Sequence, residues 1–231
     1  MKFVNPLEKV TILKRYKRFF ADVKYPDGTE LTVHVPNTGP MLGAFNPGWD
    51  GYIMAKVNPK KMSHGLELME DPDGTLMGVN TQIPNRIVKE ALESKELYFA
   101  TDYENIKPEA KIGNSKIDFL LTQEGFPDCY LEVKNCSGKE KDTAFFPDTK
   151  SERALKHINE LRDLNKKGIR TILVFIIQRG DCKFFRPGDE YHPEYGKALR
   201  EAISEGVEVY PLSCKISLTE ISIDKQLILK I

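Results

Sequence analysis

The chain has 231 residues, 40% of them hydrophobic and 29% charged, with 34 basic and 34 acidic side chains and a formal net charge of +0. This describes a globular chain of one domain or two small ones and excludes a largely disordered protein. No apolar run is long enough to cross a bilayer, so no membrane role is expected, and with balanced charge any nucleic-acid affinity must come from local clusters.

The opening MKFVNPLEKV lacks the apolar core of a secretory signal, which sets a cytoplasmic expectation. Residues 10–25 are rich in β-branched and aromatic side chains and run into Pro26-Asp27-Gly28, a turn before the alternating residues 31–35. Inside that stretch, Lys14-Arg15-Tyr16-Lys17-Arg18-Phe19-Phe20 interleaves four basic residues with three aromatics. Cations there would meet phosphates while ring faces accept bases. An amphipathic strand with a solvated charged face explains the pattern equally well. Gly39, Gly43, Gly48 and Gly51 punctuate a long connection; residues 52–57 and 66–69 are further strands, and Asp71-Pro72-Asp73-Gly74 is a turn. Short strands without a helix point to a small barrel or sandwich. A barrel of the oligonucleotide-binding type is one member of that class, and the pattern does not select it.

The texture changes near Asn80. Pro84 stands at a helix start, with Ile87, Val88, Ala91 and Leu92 as its apolar stripe. The boundary falls between Gly78 and Pro84, dividing residues 1–82 from 83–231. Residues 117–121 and 129–133 read as strands around a turn at Glu124-Gly125. Thr149 and Glu152 have capping-box spacing ahead of a helix that buries Ala154, Ile158 and Leu161 and ends at Gly168. Residues 172–177 form an apolar run suited to a strand covered on both faces. A helix over 193–205 and a strand over 207–210 complete a mixed α/β unit. Cys129, Cys136, Cys182 and Cys214 lack paired short spacing, so neither a zinc knuckle nor a disulfide scaffold is indicated.

The chemistry concentrates at Asp118 and Glu132-Val133-Lys134. Alternate side chains of a strand share a face, so Glu132 and Lys134 point together. If the two strands pair as a hairpin, Asp118 comes alongside Glu132. Neighbouring carboxylates repel unless a proton or divalent cation lies between them, and hard oxygen ligands suit Mg²⁺ or Mn²⁺. A lysine beside them would orient an attacking water and offset charge on a phosphoryl oxygen. An ordinary charge pair on a solvated edge strand is the plain alternative for so short a motif. Downstream lie Lys139, Lys141 and Phe145-Phe146-Pro147-Asp148. Arg153, Lys156 and His157 fall largely opposite the buried side of their helix, where they would offer contacts to a DNA backbone. His34, followed by Pro-Asn-Thr-Gly, reads either as a barrel-rim contact or as a residue stabilising that turn.

Several blocks together resemble a known family: Arg15-Tyr16-Lys17-Arg18-Phe19, His34-Val35-Pro36-Asn37-Thr38-Gly39-Pro40-Met41, Val79-Asn80-Thr81, Ile117-Asp118-Phe119, Cys129-Tyr130-Leu131-Glu132-Val133-Lys134-Asn135, Phe146-Pro147-Asp148 and Lys156-His157. Over essentially its whole length the chain is similar to the sugar fermentation stimulation protein A family. The resemblance implies an oligonucleotide-binding-type N-terminal barrel, then a restriction-endonuclease-like PD-(D/E)xK domain. It also implies DNA binding and a regulatory link to sugar, notably maltose, metabolism. The acid of the nuclease-like pattern falls on Asp118 and the acid–x–lysine on Glu132 and Lys134. For the helix acid common in such sites, Glu90 is the match, with a surface charge as its alternative, and Glu109 competes. The chain departs from the family at Lys116, Val35 and Ala154, where arginine, cysteine and glycine are usual. Lys116 keeps the charge but loses bidentate geometry.

The resulting expectation is a DNA-binding protein with a Mg²⁺- or Mn²⁺-dependent phosphodiesterase pocket. Asp118 and Glu132 are its metal ligands, and Arg15, Lys17, Arg18, Lys116, Arg153, Lys156 and His157 its DNA contacts. A non-catalytic DNA-binding regulator and an RNA-processing or RNA-binding protein are the alternatives. Homo-oligomer formation is left open.

Overall fold

A computed structural model describes residues 1–59, 61–112 and 115–231. Five strands, β1 (Leu7–Tyr16), β2 (Phe20–Lys24), β3 (Glu30–His34), β4 (Asp50–Ala55) and β5 (His64–Glu70), pair in the order β3-β2-β1-β4-β5. A bridge between His34 and Gly65 closes them into a barrel. A short β6 (Leu76–Gly78) pairs with β5. Alternate residues point inward, and Val10, Ile12, Ala21, Val23, Val33, Ile53 and Leu66 form the apolar interior.

The strand-like stretch 10–25 is not continuous. Tyr16 pairs with Phe20 across a tight hairpin in which Lys17 and Arg18 have φ of 48° and 63°. Positive φ at successive turn residues matches the twist of the flanking strands. The turn carries Lys17, Arg18 and Phe19 to an exposed tip.

The second unit comprises α1 (Ile83–Glu93), β7 (Asn105–Ile112), β8 (Ser115–Thr122), β9 (Cys129–Cys136), β10 (Gly138–Glu140), β11 (Thr143–Phe146), α2 (Glu152–Asn165), β12 (Arg170–Ile177), β13 (Phe184–Pro187), α3 (Pro193–Ser204), β14 (Glu208–Ile216), β15 (Ile221–Gln226) and β16 (Ile228–Leu229). Its main sheet runs β15-β14-β12-β9-β8-β7, with β9, β12 and β14 parallel at the centre. Helix α1 covers one face through Ile87, Val88, Ala91 and Leu92. Helices α2 and α3 cover the other through Ala154, Ile158, Leu161 and Leu199. Residues 171–177 of β12 are buried, as expected of a strand covered on both faces. A smaller sheet, β10-β11-β13-β16, lies beyond β9. The cap of α2 is Ser151 rather than Thr149: its hydroxyl accepts from the Ala154 N–H at 3.2 Å.

The two units are tied by hydrogen bonds. The Thr81 N–H and hydroxyl donate to the Pro36 carbonyl at 3.1 and 2.8 Å. Buried Arg179 donates to the Gly43 carbonyl at 2.7 Å. Gln178 donates to the Asn80 carbonyl and to Asn135 Oδ1, joining the start of α1 to the end of β9. Among the described residues no helix is long and apolar enough to cross a membrane.

Candidate active site

Strands β8 and β9 pair from Leu121↔Cys129 to Phe119↔Leu131, and there the ladder stops. Side chains take over at the next register position. The Val133 N–H donates to Asp118 Oδ2 at 2.8 Å, and the Asp118 N–H donates to Glu132 Oε2 at 3.3 Å. The inward face of β8 changes at the same point. Phe119 and Leu121 pack with α1, whereas Ile117 joins the cluster under α2 and α3. Opposite this step, Glu109 of β7 has a φ of 52° and interrupts the pairing between Pro108↔Phe119 and Ala110↔Ile117. Asp118 therefore sits where β8 leaves β9, with its carboxylate in the opening.

Three elements converge on that opening. From the first turn of α1, Asn85 Nδ2 donates to Asp118 Oδ1 at 2.6 Å. From β9, the Lys134 ammonium donates to Glu132 Oε1. From α2, His157 Nδ1 bonds the same oxygen. With the Nδ1 hydrogen directed to the carboxylate, the 3.3 Å approach of Lys134 to His157 is a contact within the trio. Glu132 is 2% exposed and His157 6%.

Burial and the neighbouring Glu132 charge push the Asp118 carboxyl above its ordinary range. Burial acts the same way on Glu132, but the His157 hydrogen bond and the Lys134 charge outweigh it and hold that carboxyl below its usual value. The two acids are thus driven in opposite directions, a pattern concentrated at functional sites. Lys134 and His157 offset the Glu132 charge, whereas at Asp118 burial and the Glu132 charge outweigh the Val133 N–H, Asn85 and the Lys134 charge.

A divalent cation suits that donor set. Both acids offer hard oxygen atoms with lone pairs beyond those already engaged. Among the described residues no group of three or more His, Cys, Asp or Glu side chains is placed to hold a metal ion. Two carboxylates supply only part of a shell, which suits Mg²⁺: it commonly retains waters and takes further oxygens from a phosphate substrate.

Other expected site residues lie elsewhere. Glu90 follows Asn85 by five positions, about 140° around the helix at roughly 100° per residue. It therefore points away from Asp118 and pairs with the Met1 amino group at 2.7 Å. Glu109 projects into solvent and pairs with Lys116 at 2.7 Å, so neither acid completes the pocket and Lys116 is engaged beside it. His157 turns inward to Glu132, which corrects its reading as a DNA-backbone contact. Arg153 and Lys156 stay exposed on α2. Arg15 is a loop organiser: Nη2 donates to the carbonyls of Arg18, Asn37 and Gly39 at 3.0, 2.7 and 2.9 Å.

Two neighbours escaped the sequence reading. Asn85 carries no titratable group, and only its place just after Pro84 hinted at the site. Tyr195 on α3 is fully buried; burial and the Glu132 charge push its phenol well up.

Comparison with known proteins decides the family. A family model described as the sugar fermentation stimulation protein N-terminal OB domain matches residues 13–79, and one described as the RE domain matches residues 82–220. The sugar fermentation stimulation protein homolog of Paramagnetospirillum magneticum is 43% identical over 219 residues, covering 94% of this chain and 92% of that one. The chain belongs to the sugar fermentation stimulation protein family. The Shewanella baltica OS185 homolog in this family is 38% identical over 234 residues and covers 100% of both chains. The family structure described as Pyrococcus furiosus SfsA in complex with Ca²⁺ has a TM-score of 0.90 and 28% identity, again covering 100% of both chains. The closed barrel is accordingly the family's OB domain, and the helix-covered sheet its restriction-endonuclease-like domain.

Proposed function

We propose that this member of the sugar fermentation stimulation family is a DNA-binding protein with a metal-dependent phosphodiesterase pocket. The observation that carries the reading is the splayed β8–β9 junction, where Asp118 and Glu132 face one another with Lys134 on the Glu132 carboxylate. Asp118 and Glu132 would hold Mg²⁺ or Mn²⁺. Bound there, the metal would polarise a phosphoryl oxygen and lower the pKa of a water. Lys134 would orient the attacking water and stabilise charge on the phosphoryl group. Asn85 fixes the Asp118 carboxylate, and His157 fixes Glu132. The Ca²⁺ complex of the Pyrococcus furiosus relative supports divalent-cation use.

DNA would be gripped by Arg18 and Lys17 at the barrel tip and by Arg153 and Lys156 on α2, all of them exposed. Residues 1–82 would then serve as the nucleic-acid-binding unit and 83–231 as the catalytic one, acting in the cytoplasm. The relatives' name describes a cellular effect, which this reading attributes to action on DNA rather than to sugar chemistry.

A second reading, a non-catalytic DNA-binding regulator, is favoured by one observation: Lys134 and His157 both occupy Glu132 Oε1. Cleavage of single-stranded, duplex and branched DNA in Mg²⁺ or Mn²⁺ separates the two. The phosphodiesterase reading expects turnover by the wild type and its loss in Asp118→Ala and Lys134→Ala. Equal residual cleavage by all three proteins would reject it, and salt-sensitive wild-type binding without turnover would favour the regulator.

A further inference from the structure

At the barrel rim, two concavities meet along a shared wall of Arg15 and Arg18. One, of about 210 Å³, is lined by Arg15, Arg18, Thr38, Gly39, Pro40 and Thr149 and so spans both units of the chain. The other, of about 410 Å³, is lined by Arg15, Tyr16, Lys17, Arg18, Phe45 and Pro47. Their chemistry differs. The first offers guanidinium and hydroxyl groups, and the second offers aromatic rings and proline beside the same cations.

The shared wall carries unneutralised positive charge. Among the described residues, neither Lys17 nor Arg18 has a carboxylate within ion-pair distance. Burial and the nearby Arg18 charge lower the basicity of Arg15, while Asp148 acts in the opposite sense. Asp148 lies behind Gly39 and takes a hydrogen bond from Ser137 at 3.4 Å, so it offsets Arg15 more than Arg18. Arg15 is pinned by three carbonyls, and its guanidinium lies 5.7 Å from the Phe45 ring. The wall is thus rigid on the Arg15 side and free on the Arg18 side.

We infer that these two concavities form one nucleotide subsite, with a phosphate between Arg18, Thr38 and Thr149 and a base against Tyr16 and Phe45. The ligand is a single-stranded segment of nucleic acid. A duplex presents its phosphates to such a rim but keeps its bases stacked and paired, so only an unpaired base fills the aromatic half. Thr149 leads into the Ser151 cap of α2, and His157 lies six residues further along the helix, about 9 Å at roughly 1.5 Å per residue. Thr149 of the subsite thus stands two residues before the cap of the helix that carries His157 into the pocket. This inference rests on the nucleic-acid part of the function proposed above and not on cleavage.

The test is fluorescence anisotropy with the full chain carrying Asp118→Asn, in chelator. Probes are a short labelled oligonucleotide and its blunt duplex. Phe45→Leu, which removes the ring and keeps bulk, should weaken single-strand binding roughly fivefold or more and duplex binding by less than about twofold. Phe45→Tyr should restore it. Arg18→Ala should weaken binding to both probes and lower the salt slope by about one. Thermal melts identify variants that fail to fold, and Phe45→Tyr serves as the folded control. Unchanged single-strand affinity in Phe45→Leu, equal losses on both probes, or no single-strand binding at low salt would overturn the inference. So would an Arg18→Ala protein with unaltered affinity. Because binding is read in chelator, apart from turnover, a Phe45 effect beside a wild type that does not cleave in Mg²⁺ or Mn²⁺ would leave the subsite standing and the phosphodiesterase reading fallen. Cleavage without a Phe45 effect would do the reverse.

Discussion

Asn85 donates from the first turn of α1 to Asp118 Oδ1 at 2.6 Å, while the Val133 N–H holds Oδ2 at 2.8 Å. Both oxygens of the proposed metal ligand are thus aimed by the scaffold. Removing such an outer partner commonly costs about 10- to 100-fold in metal affinity or activity. Asn85→Ala is expected to lose that much metal-dependent cleavage while remaining folded, read from cleavage rates and thermal melting. Wild-type rates in Asn85→Ala would remove the aiming role.

The His157–Glu132 bond is a stability contact as well as a site contact. Glu132 is 2% exposed, and without His157 it keeps only the Lys134 ammonium on Oε1. A hydrogen bond to a charged group contributes roughly 1.5–3 kcal/mol. His157→Ala should therefore lose about that much stability in urea unfolding at neutral pH. A loss below about 0.5 kcal/mol would show that the bond contributes little.

The junction between the units responds to acid through Asp181. Burial pushes its carboxyl up, but the Arg179 fork and Lys139 more than offset this and hold it at about 2 against an ordinary 3.8. A depressed acid contributes stability above its unfolded pKa and loses it as pH falls toward the folded one. The contribution, on the order of 2 kcal/mol at about 1.4 kcal/mol per pH unit, is complete at neutral pH and disappears between about pH 4 and 2. Asp181→Asn should therefore be less stable than wild type at pH 7, with the gap closing by pH 2. Urea titrations across that range check the sign, and a gap that stays constant with pH would contradict it.

Close approach at Gly78 makes a separate prediction. A Cβ there would lie 2.3 Å from Gln178 Oε1 and 2.9 Å from Gln178 Cβ. Gln178 cannot swing away without breaking its bonds to Asn80 and Asn135. Gly78→Ala should destabilise the chain by about 1–3 kcal/mol, the usual cost of overpacking. Chemical denaturation checks it, and a neutral substitution would mean that Gln178 is free to move.

The period-2 pattern of strands made Glu132 and Lys134 legible, since neither depends on distant packing. Asp118 was legible through the expected hairpin, but the end of the ladder at Phe119↔Leu131 was not. Helix orientation explains the misplacement of Glu90: an acidic side chain on α1 carried the chemical signal, whereas packing turned the neutral Asn85 inward. His157 reads as exposed in the sequence because an imidazole is polar, and its burial depends on Glu132, a partner on strand β9. Strand β7 escaped because its exposed, charged edge lacks alternation, and β10, β11, β13 and β16 because each has four residues or fewer. The Lys17–Arg18 turn was hidden by its lack of glycine or asparagine, the usual residues at positive φ.

In the function proposed above, Asp118 and Glu132 jointly hold a divalent cation. Anomalous diffraction from crystals soaked in Mn²⁺ tests it most directly. A peak between the two carboxylates, with Lys134 facing a bound water, is the expected result. A saturating soak that leaves this opening empty, or that places Mn²⁺ only at an outlying acid such as Glu90 or Glu109, would contradict it.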